Sequence, residues 1–356
     1  MGGVRWVREA IAKDPGAARS VRRAVHSWRE TTEGVGAGDA RRGTLLACSG
    51  GADSTALALA LASASTTLVV GHVVHDLREA TEALADRDAA RDLANRLGLA
   101  FAEASIAVRS QPGNAEANAR RLRYAALARL AREHACPFVA AAHHADDQLE
   151  TVLMRLLRGA GPRGLGGMAR RRVLSRAQAG ASPEVDVWLI RPMLGLTRDE
   201  ARSICAACAA TWGEDRTNRD TTRLRAAIRH ELVPVLRRIA PGAASHVGVA
   251  AELVAQAGEL ARDEAMALLE RGDRLPHEFR WARGVLRAHK LVVLGELVAL
   301  AAWELCGPRG ADRLSFAAVR PALLAMGDTS TQPREFGLHA VQIAVDAHQV
   351  TIRVRS

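Results

Sequence analysis

The sequence predicts an α/β protein: a doubly wound parallel sheet with a helical C-terminal domain and a small terminal β element. Three observations carry this expectation. From residue 44 onward, short apolar runs alternate with longer Ala/Leu-rich or amphipathic runs, the pattern of βαβ units. The short runs are apolar throughout, as strands covered on both faces should be. Polar clusters follow two of them directly, at Ser49-Gly50-Gly51 and His143-His144-Ala145-Asp146, and open α/β sheets bind ligands at such strand ends.

In chain order, residues 1–42 look helical and then loose, an N-terminal extension ending in a Gly/Ala run at 34–38. Residues 44–48 form a short buried-strand pattern, and 55–64 are built of good helix formers. A β-branched strand run at 68–74 precedes an amphipathic helix at 85–97, which Gly98 can cap. Residues 105–108 read as a short strand, 116–134 as a long Ala/Arg/Leu helix, 137–142 as a strand and 146–157 as a helix. Residues 187–190 and 197–210 add one more strand–helix pair, and 222–239 a helix interrupted near Pro234. Pro241-Gly242 marks a boundary. Beyond it, 246–330 is helical by pattern, while 336–345 and 350–354 have strand composition. The domains expected are thus 1–42, 43–240 and 241–356.

Composition narrows the class. The 356 residues are 48% hydrophobic and 25% charged, as in a soluble globular protein. No run approaches the roughly 20 apolar residues of a membrane span. The N-terminus lacks the apolar core of a secretory signal, so a cytoplasmic location is expected. Five cysteines, an odd number, argue against a disulfide framework. Cys205 and Cys208 have Cys-x-x-Cys spacing but lie in an Ala-rich helical run, where they read as small core residues.

The formal charge is +10, and only Lys13 and Lys290 are lysines. The positive charge is therefore almost all Arg, whose planar fork suits phosphate. Arg155, Arg158, Arg163, Arg170, Arg171, Arg172 and Arg176 follow one another with no acid between Glu150 and Glu184. Such an unbalanced run predicts a polyanion contact.

Two constellations carry chemistry. Ser49-Gly50-Gly51-Ala52-Asp53-Ser54 joins a strand to a helix. Its N–H groups and the helix dipole favour an anion, and the two glycines let the backbone approach a phosphate. It lacks the Gly-Lys-Ser/Thr ending of a Walker A loop. The second, His143 to Thr151, opens the helix after the strand at 137–142. Asp147 and Glu150 are three apart and share a helix face, where they could bind a metal or an ammonium group. Asp146 is placed to cap that helix.

These motifs resemble a known family. The loop at 49–54 is similar to the pyrophosphate loop of N-type ATP pyrophosphatases, and HHADDQLETVLMRLLRGAGPRGLGGM at 143–168 closely resembles a signature of the tRNA(Ile)-lysidine synthetases. HVVHDLR at 72–78, NAEANARRLRY at 114–124, IRPML at 190–194, EDRTNRD at 214–220 and IRHELVPVL at 228–236 match in family order. Two departures stand out. Val74 and Asp76 replace the Asp and Gly of the usual His-Val-Asp-His-Gly-Leu-Arg, with Asp76 a candidate to compensate. Ala226 stands where the family usually has Asn.

The resemblance implies a Rossmann-like fold of the HUP/PP-loop type, with 43–240 as an ATP-pyrophosphatase domain and 241–356 as a tRNA-recognition region. It implies an ATP-dependent ligase that joins lysine to the wobble cytidine of tRNA(Ile). ATP would be held by Ser49, Gly50, Gly51, Ala52, Asp53, Ser54 and His72, with Mg²⁺ on Asp53. Asp147, Glu150, Arg120 and Arg123 would take lysine; Asp53, Asp147 and Glu150 would be catalytic. Arg155, Arg158, Arg163, Arg170, Arg171 and Arg172 would contact tRNA. The partners implied are tRNA(Ile) with a CAU anticodon and free lysine, with no membrane; a homodimer stays open. Two competing readings are a tRNA thiolase of the same superfamily and a nucleotide- or RNA-binding module without catalysis.

Overall fold

The computed structural model describes residues 4–32, 38–39, 42–77, 79–177, 185–213, 224–307 and 314–355. Arg78, the 214–220 motif and most of the 34–38 run lie outside them. The chain divides into two units, one of residues 1–149 and 168–248, the other of 150–167 and 249–356.

The first unit is built on β1 (Thr44–Ala47), β2 (Leu68–His75), β3 (Ala100–Ile106), β4 (Phe138–Ala140), β5 (Arg171–Ser175) and β6 (Val187–Ile190), in the order β3-β2-β1-β4-β6-β5. All neighbouring pairs are parallel except β5 with β6. Along each central strand, successive residues face opposite layers. Leu46, Val70 and Phe138 enter one core with Trp28, Leu57, Leu61 and Ile204. Their neighbours Leu45, Val69 and Val139 enter the other, with Leu127 and Leu130. The first layer holds α1 (Arg5–Ala12), α2 (Pro15–Thr31), α3 (Ala52–Ala62), α4 (Ala80–Leu97) and α8 (Arg198–Ala207); the second holds α5 (Ala115–Glu133).

α3 is buried at every position from Ser54 to Ala62, which explains its all-Ala/Leu composition. The N-terminal segment belongs to this core: Trp28 is fully buried, and its Nε1 donates to Thr44 Oγ1 at 3.1 Å, at the start of β1.

In the first unit, two strands differ from the sequence expectation, and the break expected near Pro234 takes a particular form. β3 begins at Ala100 instead of 105, immediately after Gly98 closes α4 with φ +66°. As a sheet edge, its burial alternates and admits Glu103, so its composition is not that of a buried strand. β5 is an antiparallel strand made from part of the Arg run, and charged residues suit an exposed sheet edge. Before Pro234, the helix formed by α9 (Leu224–Ala227) and α10 (Val233–Ile239) widens into a π-helical turn at Ile228–Leu232. Proline removes a backbone donor and clashes with the preceding turn, which the wider turn accommodates.

The second unit contains α7 (Pro162–Leu165), most of α11 (Ala243–Glu270), α12 (Arg283–Arg287), α13 (Leu291–Cys306) and α14 (Phe316–Gly327). Its antiparallel sheet has the order β7-β8-β11-β10-β9: β7 (Asp273–Leu275), β8 (Glu278–Ala282), β9 (Arg334–Gly337), β10 (Val341–Val345) and β11 (Gln349–Val354). The β7–β8 hairpin interrupts the stretch expected to be helical. Leu268, Leu297, Leu323, Ile343 and Val350 fill the core. Residues 150–167 join this unit through close backbone contacts. At Gly159, with φ +68°, an added Cβ would lie 2.8 Å from that of Ala317. Among the described residues, no helix is long and apolar enough to cross a membrane.

Candidate active site

The site opens where the strand order reverses. β1 lies between β2 and β4, and the segments leaving β1 and β4 carry the two polar clusters. Gly50 has φ +83°, and a Cβ there would lie 3.0 Å from the Asp86 carbonyl oxygen. Gly51 caps α3 without a side chain, so the first-turn N–H groups of Ala52, Asp53 and Ser54 have no intrahelical partner. Ser54 Oγ accepts from the Ser49 N–H at 3.2 Å and donates to the Gly51 carbonyl at 2.9 Å, fixing the loop.

A cavity of about 360 Å³ stands over this loop. Ser49, Gly51, Asp53 and Ser54 line it, with His72 and Val74 from β2, Arg123 and Tyr124 from α5, and His143. Of the residues expected at the site, Gly50, Ala52, Arg120, Asp147 and Glu150 do not line this cavity. His72 is buried, with Nδ1 2.8 Å from the Cys48 carbonyl. Burial lowers its pKa, so it is a neutral ring bracing the end of β1. Asp76 does not replace an acid at position 74. It accepts the Val108 and Arg109 N–H groups at 2.7 and 3.2 Å, holding the turn after β3, while Val74 adds an apolar side chain to the cavity wall.

Behind the loop runs a buried polar chain. His144 is fully buried, with Nε2 3.5 Å from Asp53 Oδ2 and Nδ1 3.4 Å from Asp147 Oδ2. Burial alone would lower its pKa, but Asp53 and Asp147 outweigh that and raise it. Burial works against the Asp53 carboxylate too, yet His144, Arg198 and Arg202 hold its pKa below the ordinary value. Asp53 is thus an ionised group on the cavity wall.

The acids of α6 (Ala145–Leu157) divide their roles. Asp146, expected to cap its own helix, instead accepts the Arg198 N–H at 2.7 Å in the first turn of α8 and pairs with Arg237. Asp147 accepts the His144 N–H at 3.1 Å and faces Arg229 and Arg225 at 3.4 and 3.7 Å. Glu150, one turn further along the helix, is 1% exposed.

Around Tyr124, the only tyrosine of the chain, lie the guanidinium groups of Arg120, Arg172 and Arg123, 5.0, 5.3 and 5.8 Å from the ring. Burial, with Arg120 adding, lowers the Arg123 pKa. Burial pushes Arg191 down to about 10, with Arg172 and Arg120 adding to the effect. Crowded, partly desolvated guanidinium groups favour an anion among them.

Three of the seven arginines in the run are engaged within the protein. Arg155 donates to the Gly164 and Gly167 carbonyls at 2.8 and 2.6 Å, closing the loop after α6. Arg171 stacks 4.0 Å over the Trp188 ring. Arg176 pairs with Asp186 at 3.0 Å. Arg158, Arg163, Arg170 and Arg172 are exposed; the first two belong to the second unit and the last two to the first.

Sequence reasoning missed His144, Arg191, Arg225 and Arg229 as site residues. Arg191 and Arg229 lie within the IRPML and IRHELVPVL segments, so those matches were the signal available. Among the described residues, no group of three or more His, Cys, Asp or Glu side chains is arranged to hold a metal. Cys205 is buried against the Ala52 carbonyl, and burial pushes its thiol up to about 12.

The PP-loop domain family matches residues 21–236. A tRNA(Ile)-lysidine synthase of Salinispora arenicola is 38% identical over 263 residues, covering 72% of this chain and 73% of its own. A synthase of the same name from Deinococcus deserti is 38% identical over 243 residues, 67% of this chain and 42% of its own. The one from Salinispora tropica is 40% identical over 218 residues, 59% and 62%. The chain thus spans between two fifths and three quarters of the length of these relatives. Among solved structures, a U34-tRNA thiolase from Methanococcus maripaludis, carrying an iron–sulfur cluster, superposes with a TM-score of 0.51 at 16% identity, covering 67% of this chain and 80% of that one. That likeness concerns the fold.

Proposed function

Because the chain belongs to the PP-loop family of tRNA(Ile)-lysidine synthases, we propose that it ligates free lysine to C2 of the wobble cytidine in the CAU anticodon of tRNA(Ile). ATP adenylates the base and is converted to AMP and pyrophosphate. One observation supports this reading most: a phosphate-cradling loop and a carboxylate-bearing helix start from β1 and β4, on either side of the switch point.

The 2-carbonyl oxygen of cytosine attacks the α-phosphate, and pyrophosphate leaves. N–H groups of Gly51 to Ser54 and the Ser49 hydroxyl face the charge that develops. Asp53 is the carboxylate that would hold Mg²⁺. A single carboxylate plus substrate phosphates is an ordinary Mg²⁺ environment, which fits the ionised Asp53 on the cavity wall. Bound there, the ion would offset phosphate charge.

Asp147 and Glu150 hold the lysine ammonium and help it lose a proton. Free lysine has a pKa of about 10.4 and is mostly unreactive at neutral pH. Arg120 and Arg123 receive its carboxylate or a phosphate. The exposed Arg158, Arg163, Arg170 and Arg172 contact the RNA backbone, which positions the tRNA without reading its sequence. Base choice falls to the wobble pocket and the region 241–356. Acting on tRNA(Ile) in this way, the protein would work in the cytoplasm.

The thiolase alternative has less support, because Cys205 and Cys208 pack in the first core. Half-reactions test the assignment. Asp53→Ala should abolish pyrophosphate release on tRNA(Ile). Asp147→Ala should retain release and lose lysine transfer by a factor of about 10² or more. If Asp147→Ala loses release alone, the assignment of α6 to lysine is wrong.

A further inference from the structure

The lysine nitrogen loses two protons in all, and the transfer step needs an acceptor for the second besides Asp147 and Glu150, which serve the ammonium. Asp147 accepts the His144 N–H and faces two arginines. A different side chain stands on the cavity wall, at the C-terminal end of β4. His143 lines the cavity, and its Nδ1 is buried with no hydrogen-bond partner among the described residues. A buried ring nitrogen without a partner is costly unless something else binds it.

We propose that His143 Nδ1 accepts the proton lost by the lysine nitrogen as it bonds to C2 of the adenylated cytidine. This rests on the lysine-ligating function proposed above. The charged groups acting on His143 come from four elements: Arg120 on α5, Asp147 on α6, Arg191 after β6, and Arg225 on α9. Burial, with Arg191, Arg120 and Arg225, pushes its pKa down to about 3 against the pull of Asp147. The ring is therefore neutral at any physiological pH in this surrounding. Anionic phosphate among the same arginines offsets them, so nucleotide binding raises the proton affinity of the ring.

The proton balance suits a weak base. Between free lysine and product, the ε-nitrogen loses two protons. The first leaves the ammonium group as lysine binds, aided by Asp147 and Glu150. The neutral amine then donates its lone pair to C2, and the bond from C2 to the adenylate oxygen breaks, its electrons leaving with AMP. At that stage the nitrogen is attached to an electron-poor ring and is far more acidic than free lysine. Its second proton passes to Nδ1 of His143 and from there to solvent.

The test uses the full-length protein with His143→Ala and His143→Gln. Pyrophosphate release on tRNA(Ile) without lysine, and lysine transfer to pre-adenylated tRNA, are measured separately. We expect transfer to fall by about 10² to 10³ in kcat in both variants, far more than pyrophosphate release. The KM for lysine should move by less than about threefold, since a proton acceptor acts on kcat. Added imidazole should restore transfer in His143→Ala and leave His143→Gln unchanged. The proposal is overturned by transfer within about threefold of wild type. It is equally overturned if both half-reactions fall together without imidazole rescue, which marks a structural residue. Wild-type protein that releases pyrophosphate but never incorporates lysine would overturn the functional reading, and this proposal with it.

Discussion

A single methyl group at Gly50 tests the phosphate cradle. Its φ of +83° and the 3.0 Å approach of the Asp86 carbonyl leave no room for a Cβ. Gly50→Ala should cost about 1–2 kcal/mol of stability and slow pyrophosphate release by about tenfold or more. Thermal melts and a pyrophosphate-release assay would check both. Asp146 makes a prediction with a defined pH window. Burial would raise its pKa, but the Arg198 N–H and Arg237 outweigh it and lower the pKa below the ordinary value. The stability it contributes is therefore present above the unfolded pKa of about 3.9, and is lost as pH falls through the lower folded value. Asp146→Asn should unfold more easily at pH 7, by about 1–3 kcal/mol. Its urea midpoint should also fall less steeply than the wild type's below about pH 4. The loop was readable as a candidate phosphate cradle because glycines and small polar groups stand out between an apolar strand and an apolar helix. The partners of Asp147 were not, because Arg225 and Arg229 reach it through the fold from some eighty positions along the chain.

Elements buried on both faces were the most legible. β1, β2, β4 and β6 are mostly apolar, and α3 is apolar all round after its first turn, so composition alone predicts them. β3 and β5 are the two sheet edges, where one row of side chains meets solvent; their polar and charged residues masked them. The N-terminal helices read as an extension because nothing in their sequence names what they cover. Trp28 does so in the structure, and Trp28→Ala should destabilise the first unit by about 3–5 kcal/mol in denaturant titration. In the second unit, the fully buried Arg283 donates to the carbonyls of Ala325, Asp328 and Asp346 at 2.7, 3.0 and 2.8 Å, and to the Asp328 carboxylate at 2.6 Å. It fastens the end of α14 to the turn between β10 and β11. Arg283→Met removes these donors, with Arg334 still reaching the Asp328 carboxylate at 2.7 Å, and should lower stability by about 2–4 kcal/mol.

Over the whole molecule, the +10 charge predicts salt-sensitive tRNA binding. Each alanine substitution at Arg158, Arg163, Arg170 or Arg172 should weaken binding and reduce the slope of log affinity against log salt by about 0.7–0.9. Arg155→Ala should chiefly disturb the loop closed by its two carbonyl contacts. The division into units was only partly legible. Pro241-Gly242 lies close to where the second unit resumes, at residue 249. The membership of residues 150–167 was hidden because the sequence places them inside the catalytic stretch, and their glycines read as part of one functional signature. The glycine at 159 answers to Ala317, more than 150 positions away. The most direct measurement incubates the full chain with ATP, isotopically labelled lysine and tRNA(Ile) bearing a CAU anticodon. Label is expected at the wobble cytidine, with one AMP and one pyrophosphate formed per lysine attached. Pyrophosphate release with no label in the RNA would contradict it.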